Sequence, residues 1–328
     1  RIDFTDDPTG HLLLEPQRTN TFDYSSDLSA WSKLNSTVSE SNVLSLDGVN
    51  NSYGYERTSS SSSYIYRTVS LANTTQYTLS FFVKSGTSTN VRVDIWDSTQ
   101  SSQCQIQVDL ETKAISNFVG TSYKIEDYTN GWIRVSVVFT SESSFGTTFN
   151  RYFNMDGIGS ELYIWGAQLE QGSYATSYIP TSGSAVTRNQ ELCNNSGTVN
   201  DFNSEEGVLY AEIAALADDG TRREISISDS TPNNRVELRF QGASNNISAI
   251  VRSIDGTVQA DFGSSAYTMT SFNKVAISYK VNDFSFWING VKIATDTNGV
   301  TPIGLSELAF DQGNGDTEFL GKTKNVKV

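Results

Sequence analysis

His11 is the only histidine in the chain, and it stands beside a run of leucines. A serine or cysteine nucleophile needs a base next to it, most often imidazole, so hydrolase chemistry of the Ser/His or Cys/His kind has no second part here. His11 is expected to face solvent or to pack. A tetrahedral zinc site fails on the same count, because one His and two widely separated cysteines, Cys104 and Cys193, cannot fill its shell. Glycosidases need two carboxylates aimed at one substrate. The nearest candidate is Glu224-Ile225-Ser226-Ile227-Ser228-Asp229, where period two puts Glu224, Ser226 and Ser228 on one face and sends Asp229 to the other. The oxygen-rich turn Asp311-Gln312-Gly313-Asn314-Gly315-Asp316 has calcium-type ligands, but its spacing departs from an EF-hand loop and no helices flank it. A plain turn is expected there, and the chain as a whole reads as non-enzymatic.

Binding chemistry is better supplied. Sugars offer apolar C–H faces and a rim of hydroxyls, so their sites combine a flat aromatic ring with a few fixed polar groups. In the segment Val91 to Asp97, Val91, Val93 and Ile95 form the apolar face and leave Arg92, Asp94 and Trp96 together opposite them. Tyr64 and Tyr66 flank Ile65 in the same way. Trp96, Arg92, Asp94, Tyr64 and Tyr66 are therefore the expected lining of a carbohydrate-binding groove. Trp287, with Ser285 and Asn289, gives a fainter version of the pattern, for which core packing is the expectation.

The elements that must position these residues are strands. Apolar residues alternate with period two in segment after segment, and no window carries a sustained helical period. Tyr77, Leu79, Phe81 and Val83 share one face, while Asn130-Gly131 launches a strand from Trp132 to Phe139 as the second arm of a hairpin. A stretch dominated by Ser, Thr, Asn and Gly runs from about Thr176 to Glu206, and alternation resumes at Val208. The expected architecture is all-β, two β-sandwich (jelly-roll) domains in tandem, with residues 1–187 and 188–328 as the two domains. Within the second, Lys274 to Thr295 reads as two consecutive hairpins turning at Asn282-Asp283 and Asn289-Gly290.

Lys and Arg number 23 against 37 Asp and Glu, for a net charge of -14. That balance excludes a phosphate-backbone footprint, so nucleic acid is not an expected partner. No stretch reaches the length of about 18 to 20 apolar residues that crosses a bilayer, so membrane insertion is not expected. With Cys104 and Cys193 in different domains, two free thiols are expected. No charged-then-apolar leader opens the chain, and a chain starting at Arg1 and stopping at Val328 is expected to continue in the gene on both sides.

Three motifs carry a resemblance: Leu12-Leu13-Leu14-Glu15-Pro16-Gln17-Arg18-Thr19-Asn20, Trp165-Gly166-Ala167-Gln168-Leu169-Glu170, and Tyr174-Ala175-Thr176-Ser177-Tyr178-Ile179-Pro180-Thr181. Through them the region from Ile2 to Arg188 resembles a family of phage and prophage fibre proteins with a carbohydrate-binding jelly roll. The second half resembles laminin G or concanavalin A-like sandwiches through Phe272-Asn273-Lys274-Val275-Ala276-Ile277-Ser278-Tyr279 and Trp287-Ile288-Asn289-Gly290-Val291. The resemblance implies a virion-surface appendage that meets bacterial surface polysaccharide or other virion proteins. It also suggests a homotrimer and leaves room for a structural calcium ion without naming its ligands. Two rival expectations are carbohydrate-binding modules of a secreted bacterial polysaccharide-degrading enzyme, and a fibre spacer with no ligand.

Overall fold

The computed structural model describes residues 1–4, 8–49, 52–97, 102–144 and 147–328. Among these, the regular elements are antiparallel β-strands and two short 3-10 helices, Leu28–Ala30 and Thr129–Gly131. The chain forms two compact units, Gln17–Asn189 and a second made of Arg1–Pro16 with Gln190–Val328.

The Gln17–Asn189 unit is a sandwich of two six-stranded sheets. One runs, in spatial order, Ile115–Val119, Ser102–Asp109, Asn90–Asp97, Thr148–Asn154, Tyr64–Val69 and Ser32–Leu34. The other runs Ser122–Asp127, Ile133–Thr140, Gln76–Ser85, Glu161–Gln171, Tyr53–Arg57 and Ser36–Glu40. Alternation explains the packing: Val91, Val93, Ile95, Ile106 and Val108 of the first sheet meet Leu79, Phe81, Val83, Val135 and Val137 of the second in one core. Burying each such side chain contributes about 1.5 to 3 kcal/mol. The hairpin expected at Asn130-Gly131 is present, with both residues at positive φ (59° and 76°) and the strands Ser122–Asp127 and Ile133–Thr140 paired around it.

The second unit is also a sandwich. Its seven-stranded sheet includes Gly321–Lys327, Glu206–Ala215, Asn273–Lys280, Asp283–Ile288 and Val291–Asp296, and its five-stranded sheet Val258–Ser264, Ile247–Arg252, Arg235–Phe240, Arg223–Ser228 and Glu307–Ala309. The two hairpins expected between Lys274 and Thr295 form, with Asn282 and Asn289 at φ 58° and 51°. The N-terminal segment departs from the expected division. Rather than extending the first sandwich, His11–Leu13 pairs with Gly321–Lys327, Ile2–Asp3 pairs with His11–Leu13, and Leu14 enters the core of this unit. The physical cause is edge protection, since Gly321–Lys327 would otherwise present a row of unpaired backbone groups.

Candidate functional site

The strand Asn90–Asp97 buries Val91, Val93 and Ile95 completely and turns Arg92, Asp94 and Trp96 outward. The strand Tyr64–Val69 buries Ile65 and turns Tyr64 and Tyr66 outward. These two strands are not neighbours. Thr148–Asn154 lies between them, with Phe149 opposite Trp96, Arg151 opposite both Asp94 and Tyr66, and Phe153 opposite Arg92. The five expected residues therefore do share one face, together with Phe149, Arg151 and Phe153. Those three were missed because the inward side of Thr148–Asn154 is mostly polar. Thr148 Oγ1 donates to the Val69 carbonyl at 2.6 Å, Asn150 Nδ2 to the Asp94 carbonyl at 3.2 Å and Asn154 Nδ2 to the Ser160 carbonyl at 2.7 Å. An apolar-in reading of such a strand points its aromatics the wrong way. The signal that could have found them is an arginine between two phenylalanines at a spacing of two.

Electrostatics then organise the face. Arg151 grips Asp94 through two parallel bonds, Nε to Oδ1 at 2.8 Å and Nη2 to Oδ2 at 2.9 Å, the geometry that makes guanidinium–carboxylate pairs strong. Its guanidinium also sits 4.4 Å from the Trp96 ring centre. Arg92 lies over Phe153 at 3.8 Å, and its approach to the Asp94 carboxylate is 3.8 Å, beyond hydrogen-bond range. Burial pushes the Asp94 carboxyl above its usual range, against the pull of Arg151 and Arg92. Tyr64 packs on Phe153 at 5.0 Å and on Tyr66 at 5.7 Å, and Tyr66 meets Phe149 at 5.7 Å. Trp96, Tyr64, Tyr66 and Phe149 are only half-buried. On one flank Gln105 and Gln107 stand opposite Asp94 and Arg92, with Asn117 Nδ2 donating to Gln107 Oε1 at 2.9 Å. Ser32 and Leu34 stand opposite Tyr66 and Tyr64 on the other. Six strands spaced about 4.8 Å apart make a strip roughly 24 Å across, room for several sugar rings, with rings to stack on and amides to meet hydroxyls.

The remaining candidates resolve differently. Asp229 lies just past the strand Arg223–Ser228 and turns its carboxylate to its own loop, accepting from Thr231 N at 3.1 Å. The carboxylate beside Glu224 is instead Glu237 on the next strand, which raises the Glu224 pKa to about 7 after burial has acted first. Both side chains are 0% exposed, and Glu237 is held by Arg235. In the 311–316 turn Asp311 Oδ1 accepts from Gly313 N at 2.6 Å and Asn314 Oδ1 from Asp316 N at 3.2 Å, so those oxygens serve the turn itself. Among the described residues no three His, Cys, Asp or Glu side chains gather to hold a metal ion. His11 packs edge-on against Phe272 with Asp3 at 3.4 Å. Cys104 and Cys193 are free thiols, and burial raises the pKa of both. Trp287 corrects the expectation of core packing: Phe284, Phe286 and Ile288 take the core, and Trp287 lies half-exposed on the other face with Lys292 Nζ 4.7 Å from its ring.

No family model matches the chain, and no curated protein matches it. Among solved structures, mouse laminin alpha1 chain, domains LG4-5, is similar at a TM-score of 0.28 and 10% identity, over 81% of this chain and 85% of that one. A likeness that weak carries no inference about residues or ligand. No helix among the described residues is long and apolar enough to cross a membrane.

Proposed function

We propose that this chain is a non-enzymatic adhesion or decoration protein of a bacteriophage virion, binding bacterial surface glycan through the Trp96 face. The observation that carries the reading is the cluster of half-buried rings, Trp96, Tyr64, Tyr66 and Phe149, set around a fixed Arg151–Asp94 pair on one sheet. Rings beside anchored polar groups are what a sugar chain needs, and among the described residues this face offers no nucleophile with a base beside it. The phage assignment rests on the resemblance through Trp165–Glu170 and Tyr174–Thr181. Against the enzyme reading stands the burial of Glu224 and Glu237, which leaves their carboxylates out of reach of a polymer.

Binding of the whole chain to immobilised bacterial surface polysaccharides, with and without Trp96→Ala, tests the proposal. Loss of the ring is expected to weaken binding by about tenfold to a hundredfold, the scale of a buried aromatic anchor. Unchanged affinity in a folded Trp96→Ala protein would remove this face as the binding surface, and turnover of any polysaccharide would remove the non-enzymatic reading.

A further inference from the structure

Two arginines and one carboxylate make the polar centre of the face. Asp94 is fully engaged, because both of its oxygens accept from Arg151. Arg92 is not: its contact with that carboxylate is 3.8 Å, and its buried Nε has no hydrogen-bond partner among the described residues. A guanidinium carries five N–H donors and no acceptor, so Arg92 holds donor capacity that none of the described residues uses. Its guanidinium carbon rests 3.8 Å from the centre of the Phe153 ring, which holds the group in place, and its side chain keeps 26% exposure. The centre therefore has a local charge of one positive unit in a chain whose net charge is -14.

We infer that the Trp96 face selects acidic glycans, with Arg92 receiving a sugar carboxylate. This rests on the reading of the face as sugar-binding and adds the class of sugar. A carboxylate on the ligand would meet the exposed end of this guanidinium, its two Nη groups, by a planar two-point pairing that lysine cannot reproduce. Neighbouring rings would hold the apolar side of the same residue, and Gln105 and Gln107 its hydroxyls.

The test uses polygalacturonate, alginate and hyaluronan, each beside its carboxyl-reduced counterpart, which keeps the linkages and removes the charge. The unaltered protein is expected to bind at least one acidic polymer about tenfold or more tighter than its reduced form, and this ratio is expected to fall towards one in Arg92→Gln and in Arg92→Lys. Thermal melting of the variants reports whether they fold. If they do not, the native-to-reduced ratio of the unaltered protein decides alone. Equal or tighter binding of the reduced polymers overturns the acidic preference and leaves the sugar-binding reading standing. Binding to none of the six polymers, nor to dextran, overturns both.

Discussion

The two outward faces of the Gln17–Asn189 sandwich use the same residue types and end in opposite states. On one, Phe82, Trp132 and Trp165 are buried beneath Tyr128 and Tyr178, and Arg134 stacks on Phe82 at 5.1 Å. On the other, Trp96, Tyr64, Tyr66 and Phe149 remain half-open around Arg151. The difference is a strap, residues 176–179, which lays Tyr178 against Trp165 and Phe82. Glu170 accepts from Thr176 N at 2.8 Å and Thr176 Oγ1 at 2.6 Å, Gln168 Oε1 accepts from Ile179 N at 2.7 Å, and Arg134 Nη2 donates to the Thr176 carbonyl at 2.6 Å. Asn20 completes the lock with bonds from Nδ2 to the carbonyls of Ala167 and Ile179. Rings and an arginine thus do not by themselves make a binding site. What decides is whether the same sheet carries buried polar groups that fasten a covering segment. Asn20, Gln168, Glu170, Thr176 and Ile179, which lie in the motifs Leu12–Asn20, Trp165–Glu170 and Tyr174–Thr181, supply most of those fasteners, so these motifs mark the cover rather than the open face.

Exchanging one tryptophan on each face gives the largest expected effects and the sharpest contrast. Trp165→Ala is expected to destabilise the unit by about 3 to 5 kcal/mol through the cavity it leaves, lowering its melting temperature by roughly 10 °C. Trp96→Ala is expected to cost about 1 kcal/mol or less while weakening glycan binding, since its ring is half in water already. Equal melting temperatures for the two variants, measured by calorimetry, would break the distinction between covered and open faces. Somewhat smaller is the effect expected of Asn20→Ala. It strips the two carbonyls of their donor and leaves Phe22 N and Leu169 N, both 3.2 Å from Oδ1, without their acceptor. A loss of about 3 kcal/mol is expected, together with a red shift of tryptophan emission as the strap lifts. A variant that melts within about 2 °C of the parent would show the strap to be dispensable.

How much of this could be read in advance depended on which side of each strand was apolar. Asn90–Asp97 was legible because Val91, Val93 and Ile95 leave no doubt about the inward side, and that alone placed Arg92, Asp94 and Trp96. Thr148–Asn154 was illegible because Thr148, Asn150 and Asn154 point inward and satisfy neighbouring backbone. Gly166 shows a third case: its φ of 62° and a Cβ position 2.9 Å from the Phe82 ring demand glycine, yet only the register shift between Trp165 and Gln168 reveals why. Cross-strand relations were the hardest. That Glu224 adjoins Glu237 follows from Ser226 pairing with Glu237, a register that no spacing within one strand encodes.

Glu224 also extends the contrast to the second unit, where a buried carboxylate lacks the two-point partner that Asp94 has. Arg222 reaches it at 2.8 Å, but burial and then Glu237 dominate and raise its pKa from 4.5 to about 7. A carboxyl whose folded pKa exceeds its unfolded value keeps a proton that the unfolded chain has released. Its contribution to stability is therefore greatest at low pH and declines between about pH 4.5 and 7. Asp219 acts in the opposite sense but elsewhere on the scale. Burial pushes it up, yet Arg223 holds it below 3.8, so its contribution is lost only as pH falls beneath that value. The melting transition of this unit is accordingly expected to drop by a few degrees between pH 5 and 7.5, about the scale of a change of 1 to 2 kcal/mol. Glu224→Gln, which imitates the protonated form, is expected to flatten that slope by raising the pH 7.5 value and leaving the pH 5 value in place. A variant with the parent's pH profile would show that Glu224 is ionised throughout, and that Arg222 supplies the partner the Asp94 comparison says is missing.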